Sequence, residues 1–148
     1  MTKVWGPITW ELLHTFTYKI NENYFINNRK TVLMIIYNIL ASLPCPECSE
    51  HSINIYRLNV KKIVNKKTFI EFIFLLHNSV NTKLKKHSES VDILKKYENI
   101  NMKDTIIKWY NTMNTLKGAP KLMAINMNNK IIRNNIMIFF KKNITYFT

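Results

Sequence analysis

Glycine is almost missing from this chain, with only 2 in 148 residues, beside 4 prolines and 2 cysteines. Tight-turn chemistry is therefore scarce and long helices are favoured. No G-x-G-x-x-G occurs, so a Rossmann-type grip on a dinucleotide is excluded. Two cysteines make no disulfide framework of the secreted kind and cannot close a four-cysteine zinc site. No stretch reaches the roughly 18 apolar residues that span a bilayer, and no secretory signal is visible. Acidic residues are also few, 9 against 22 Lys plus Arg, which leaves a net charge of +13.

What is present suits one soluble domain, with 47% apolar and 21% charged residues. Asn, Ile and Lys are abundant in the manner of an AT-rich genome. The lysines are dispersed and form no arginine-rich stripe, so the charge reads as a solvated surface and not as a nucleic-acid footprint.

Pro7 suits the first residue of a helix, and Trp10, Leu12, Leu13, Phe16 and Ile20 follow at helical spacing. Residues 21–28 read as a loop. Lys30 to Leu43 forms a second helix, stopped by Pro44. The turn at Cys45–Cys48 opens a third helix to about Arg57, and Thr68 to about Lys86 is the longest. A short helix follows Ser88–Ser90 and runs to Tyr97 or Glu98, and Lys103 to Met113 is another. Beyond Lys117-Gly118-Ala119-Pro120, β-branched and aromatic residues surround Asn128-Asn129, a pattern that fits a hairpin. The expected fold is all-α: a four-helix bundle with a short fifth helix over residues 1–115. Residues 116–148 form an extension whose form the pattern leaves open.

Both cysteines lie in Cys45-Pro46-Glu47-Cys48. At a helix N-terminus such a pair suits thiol–disulfide exchange, because the dipole and free amides lower a thiol pKa. Glu47, if negative, opposes thiolate formation mildly. A Cys2His2 zinc site drawn from His14, His51, His77 and His87 is arithmetically open, but no second short-spaced ligand pair supports it. His77, Asn81 and Leu84 share one face of the most apolar helix. Buried His and Asn there need partners, in another helix or in a ligand. Trp10 and His14 lie one turn apart and offer a flat surface with a polar edge. A thioredoxin-like oxidoreductase would also start a helix with C-x-x-C, but residues 7–98 lack its strand–helix alternation. A basic nucleic-acid-binding helical domain would leave the cysteines unexplained.

Taken in order, Trp5-Gly6-Pro7, Trp10, His14, Pro44-Cys45-x-x-Cys48 and His77-Asn78-x-Val80-Asn81 with Leu84 and Lys86 resemble the Erv/ALR family of FAD-linked sulfhydryl oxidases, particularly its short viral members. The resemblance covers roughly residues 4–100. It implies a bundle holding FAD non-covalently, lined by Gly6, Trp10, His14, Tyr18, Cys48, His77, Asn78, Val80, Asn81 and Leu84. Lys86 would neutralise the phosphates, and Tyr97 would stack on the adenine. Cys45 would accept attack by a substrate dithiol, Cys48 would face the flavin, and molecular oxygen would become hydrogen peroxide. No metal is implied. Family members commonly dimerise through the outer faces of helices 1 and 2, which makes a homodimer the expectation and gives the extension a partner- or dimer-binding role. Many add a second cysteine pair as a shuttle. This chain has no third cysteine, so its substrate would be a separate dithiol protein, such as a small thiol carrier. The viral resemblance implies the host cytoplasm, and the virion, as its place of action.

Overall fold

The structure, a computed structural model, describes residues 2–116 and 123–148. These residues contain helices and no strand. Helix α1 spans Thr2–Lys19, so it begins ahead of Pro7 and carries that proline inside it. Near a helix start the missing N–H forfeits one backbone bond in a region that frays readily, which is why the helix tolerates it. The expected loop after α1 instead holds a short helix, α2 (Glu22–Asn27), capped by the Asn21 side chain. Phe25 of α2 is fully buried and stacks on Phe69 at 4.7 Å. Burial of one aromatic ring is what makes this polar segment fold down.

Helix α3 (Arg29–Ala41) presents Val32, Ile35, Ile36, Ile39 and Leu40 to the core and ends at Ser42, two residues before Pro44. Helix α4 (Pro46–Asn59) follows after a four-residue turn. Helix α5 (Lys66–Lys83) starts with a reciprocal cap between Asn65 and Thr68 and buries Phe69, Phe72, Ile73 and Leu76. A 3-10 segment, Val91–Tyr97, replaces the short α-helix expected there. Helix α6 (Met102–Thr115) is capped by Asn101.

The C-terminal part corrects the hairpin expectation. Residues Met123–Asn143 form one helix, α7, which runs through Asn128-Asn129 without a turn. β-branched and aromatic residues suggested strand, but Asn129, Arg133, Ile136 and Phe140 recur every three or four residues and are buried together. Burial of that face outweighs intrinsic β-propensity. The Lys117-Gly118-Ala119-Pro120 boundary lies outside the described residues.

Helix α1 packs on α5 on one side and α6 on the other, while α3 packs on α4 and α7. Phe16 ties these layers together, meeting Phe69, Phe140 and Phe147 edge-on at 5.8, 5.5 and 4.8 Å. Trp109 of α6 is completely buried, and its Nε1 donates to Thr9 Oγ1 of α1 at 3.2 Å. Among the described residues, no helix is long and apolar enough to cross a membrane.

Candidate functional site

Cys45 and Cys48 are joined as a disulfide, with their Cα atoms 5.2 Å apart. Cys45 is the N-cap of α4 and Pro46 is its first residue, so the cap is made by sulfur where serine or aspartate is usual. The Cys48 N–H points at Cys45 Sγ at 3.2 Å, and the Ser49 N–H bonds the Cys45 carbonyl at 3.0 Å. A thiolate at Cys45 would therefore face a free amide and the positive end of a 14-residue helix. Both sulfurs are half-buried, and Pro46 and Glu47 between them are exposed.

The disulfide lies in the wall of a cavity of about 790 Å³, within the range of about 300–1,000 Å³ usual for ligand sites. Its other walls come from α1 and α5. Trp10 and His77 stack face to face at 4.1 Å and 11°. His14, one turn along α1, reaches His77 through a 2.9 Å contact between Nε2 and Nδ1 and stacks on Tyr97 at 4.8 Å. Helix spacing explains the pairing: residues 10 and 14 share one face of α1, and residues 77 and 81 share one face of α5.

Burial decides the charge of these rings. Desolvation lowers the His14 pKa to about 3, aided by His77 and Lys96, and lowers His77 to about 4, aided by Lys96 and Lys86. Both are neutral near pH 7, so one ring nitrogen of each carries the single proton. Among the described residues, His14 Nδ1 is buried without a hydrogen-bond partner. A bare acceptor is tolerated there more readily than an orphaned N–H. We assign the proton to His14 Nε2, donating to His77 Nδ1, which leaves His77 with an Nε2–H and no partner for it within the described residues. Burial beside Glu11 and Glu89 raises the Tyr97 pKa, so the phenol stays protonated.

The far end of α5 supplies cations. Lys85 adopts φ 57°, and the Lys86 N–H bonds the Asn81 carbonyl at 2.7 Å while the Lys85 N–H bonds Thr82 at 3.1 Å. This reversal ends the helix and turns Lys86 back to the cavity. Lys83 and Lys96 line it as well, and Lys96 Nζ stands 5.2 Å from the Tyr97 ring centre. Leu40, Leu43, Leu84 and Ile93 make the remaining wall apolar. Asn81 is buried, yet among the described residues its side chain makes no hydrogen bond.

Of the residues expected from sequence, Gly6, Trp10, Cys45, Cys48, His77, Val80, Asn81, Leu84, Lys86 and Tyr97 all border this cavity. His14 stands behind the first layer, against His77 and Tyr97. Asn78 faces elsewhere: its amide accepts from the Glu89 N–H at 2.7 Å and donates to the Glu89 carbonyl at 3.3 Å, pinning the segment that precedes Tyr97. Tyr18, a further turn along α1, is half-buried and is not part of the cavity wall. Sequence reasoning missed Lys83 and Lys96, and it weighed His51 only as a zinc ligand. His51 lies one turn after Cys48, lines the cavity and meets Ser79 Oγ at 3.3 Å. That i, i+3 spacing from Cys48 was the signal available. Among the described residues, no group of three or more His, Cys, Asp or Glu could hold a metal ion.

Comparison with known proteins agrees with this geometry. A family model described as Erv1 / Alr family matches residues 7–103. The FAD-linked sulfhydryl oxidase of African swine fever virus is 29% identical over 82 residues, 55% of this chain and 69% of that protein. A protein of Invertebrate iridescent virus 3 named for the same activity is 31% identical over 86 residues, 57% of this chain and 58% of its own length. The FAD-linked sulfhydryl oxidase ERV1 of Arabidopsis thaliana is 30% identical over 81 residues, and the match spans 42% of it. No solved structure matches.

Proposed function

The chain belongs to the Erv1 / Alr family and is a thiol oxidase with FAD as its cofactor; we propose that its Cys45–Cys48 disulfide oxidises the dithiol of a separate protein. With FAD bound, molecular oxygen would be the final electron acceptor and would become hydrogen peroxide. One observation carries this reading: the only two cysteines of the sequence are joined in the wall of the same cavity that holds the Trp10–His77 platform.

The residues present fit the cofactor. Trp10 and His77 offer a flat apolar surface for a ring system, while the free Asn81 amide and His77 Nε2–H offer hydrogen bonds. Lys83, Lys86 and Lys96 offer charge for a pyrophosphate, and Tyr97 borders the same end. His14 works through His77, fixing its tautomer. Gly6 and Val80 leave room where larger side chains would intrude. When bound, FAD supplies the two-electron acceptor.

The chain's own chemistry is a pair of exchanges. A substrate thiolate attacks Cys45 Sγ, the Cys45–Cys48 bond breaks, and Cys48 leaves as a thiolate. The second substrate thiol, deprotonated, attacks the substrate sulfur of the mixed disulfide, and Cys45 leaves as a thiolate facing the Cys48 N–H. The substrate leaves as a disulfide, two protons are released, and two electrons remain on Cys45 and Cys48. The exposed Pro46 and Glu47 leave the turn open to a protein partner, and a small thiol carrier is the partner we propose. The viral relatives favour action in an infected cell's cytoplasm or in a virion.

The homodimer expected from the resemblance meets an obstacle in this chain. Helix α6 packs on α1 and α7 packs on α3, so much of those faces is covered internally. A second copy would have to seat on other surfaces, such as the outer side of α7 where Met127, Ile131 and Ile138 are exposed. In this reading, helix α7 of the extension at 116–148 packs onto α3 and α6 of the unit over residues 1–115.

The test is a visible absorbance spectrum of the purified full chain, followed by oxygen uptake with dithiothreitol. A flavin band and thiol-dependent oxygen use that vanishes in Cys48→Ala support the reading. A protein that stays colourless after refolding with FAD sinks it.

A further inference from the structure

Two polar side chains of α7 are almost completely buried, Asn129 at 4% and Arg133 at 5% exposure. They lie outside the stretch that matches the family. Arg133 Nη1 donates to the Ser42 carbonyl at 3.1 Å, and its Nε donates to Asn114 Oδ1 of α6 at 3.1 Å. Asn129 Nδ2 donates to the Leu43 carbonyl at 3.4 Å. Ser42 is the C-cap of α3, and its carbonyl and that of Leu43 lead directly into Pro44 and Cys45.

These contacts are chemically specific. The last carbonyls of a helix have no intrahelical partner and carry its negative end, so a buried guanidinium is well placed on them. Burying a charge is costly unless it is well hydrogen-bonded, and among the described residues no carboxylate lies within salt-bridge reach of Arg133. An apolar side chain would have packed α7 onto α3 without that cost. Pro44 lacks an N–H, so the stretch from Ser42 to Cys45 has one fewer donor with which to brace itself. The extension supplies the missing donors.

We propose that Arg133 and Asn129 are positioning residues for the redox turn, and that docking of α7 and closure of the Cys45–Cys48 disulfide are thermodynamically coupled. This rests on the reading of that pair as a working redox couple. A turn held at Ser42 and Leu43 keeps Cys45 close to Cys48 and so raises the effective concentration of one sulfur at the other. Loosening it favours the dithiol. Linkage requires the converse: reducing the disulfide loosens α7 by the same factor.

The experiment uses the full chain with its flavin, equilibrated with glutathione buffers in the absence of oxygen and quenched by thiol alkylation. Arg133→Met is expected to move the equilibrium toward the dithiol by about tenfold, or ~30 mV for a two-electron couple. Arg133→Lys should fall between, because one ammonium reaches only some of the acceptors held by the guanidinium fork. Asn129→Leu should shift it the same way by less. In the unmodified protein, reduction should speed hydrogen exchange at Asn129–Arg133 and leave the N-terminal turns of α5 unchanged. If Arg133→Met does not fold, the lysine variant and the exchange comparison decide. An unchanged glutathione equilibrium in the folded variants, or equal exchange at α7 in both redox states, overturns the coupling and leaves α7 as packing. Neither readout needs turnover, so absent oxygen uptake would sink the proposed function without bearing on this equilibrium.

Discussion

The cavity side and the tail side of the bundle bury polar groups in opposite ways. On the cavity side, His77 and Asn81 are buried on α5, yet His77 Nε2 and the Asn81 amide have no partner among the described residues. On the tail side, Trp109, Asn129 and Arg133 are just as buried, and each donates to another element at 3.1–3.4 Å. A buried polar group costs about 1–3 kcal/mol when it is left unpaired. His77 Nε2 and the Asn81 amide escape that cost by opening onto the cavity, where a ligand can use them, whereas Asn129 and Arg133 satisfy their groups internally. Unspent hydrogen-bonding capacity marks where the protein binds; spent capacity marks where it is braced.

The sharpest way to break this contrast is to damage each side separately. Trp109→Ala removes a fully buried indole and its bond to Thr9, so a loss of about 3–5 kcal/mol in urea unfolding is expected. Its flavin content under folding conditions should stay near that of the unmodified chain. Cys48→Ala should do the reverse, abolishing thiol-driven oxygen uptake with little change in helical content. A Trp109→Ala protein that folds normally but loses colour would show that the two sides are not separable.

Much of this division was legible in the sequence, though unevenly. The i, i+4 relation of Trp10 to His14 and of His77 to Asn81 is local, so the faces that meet in the cavity could be read before the fold was known. The Pro44 stop and the cap at Cys45 are local too. What could not be read was the meeting of residues far apart in the chain, such as Arg133 with Ser42 at a separation of 91. The hairpin expectation failed for the same reason. Ile132, Ile136 and Phe139 have strand-like propensities, and the surfaces of α3 and α6 are what make their helical face worth forming. Lys96 carries no sequence signal because one of two adjacent lysines in a 3-10 segment shows no periodic pattern that separates the cavity-facing side chain from its exposed neighbour.

Acid separates the sides next. His14 and His77 have folded pKa values lowered to about 3 and 4, against 6.5 when unfolded. Well above pH 6.5 neither state is protonated and the pair has no effect on pH dependence. Below it the unfolded chain takes up protons that the folded one refuses, so stability falls as pH falls. The slope approaches ~1.4 kcal/mol per pH unit for each histidine and persists until the folded rings protonate. Urea midpoints measured between pH 7 and pH 5, above the ordinary carboxylate range, should decline. A His14→Gln, His77→Gln chain should show a flatter profile; an equal decline would remove the neutral histidine pair from the account.

Asn81→Leu probes the unspent capacity directly. Because no intramolecular bond is lost, the apoprotein should melt at or above its original temperature. FAD affinity should drop by about 5- to 100-fold, the equivalent of about 1–3 kcal/mol. Titration of the apoprotein with FAD, followed by flavin fluorescence, measures this. A variant that melts early while binding FAD normally would place Asn81 with the bracing residues.

The smallest effect belongs to Lys85, where the cavity side stores a little backbone strain. Its φ of 57° lies in the left-handed region, which costs a residue with a Cβ roughly 1 kcal/mol, and a chain with 2 glycines has placed neither there. The reversal holds because the Lys86 N–H closes on the Asn81 carbonyl and the Lys85 N–H on that of Thr82. Both are backbone bonds that glycine at 85 would keep. Lys85→Gly should therefore raise the melting temperature by roughly 2–4 °C. FAD affinity should stay unchanged, because Lys86 remains anchored at the cavity rim. A melting temperature that rises while affinity falls would mean that the strain at 85 helps to aim Lys86. Strain would then be a cost that the cavity side bears for its ligand.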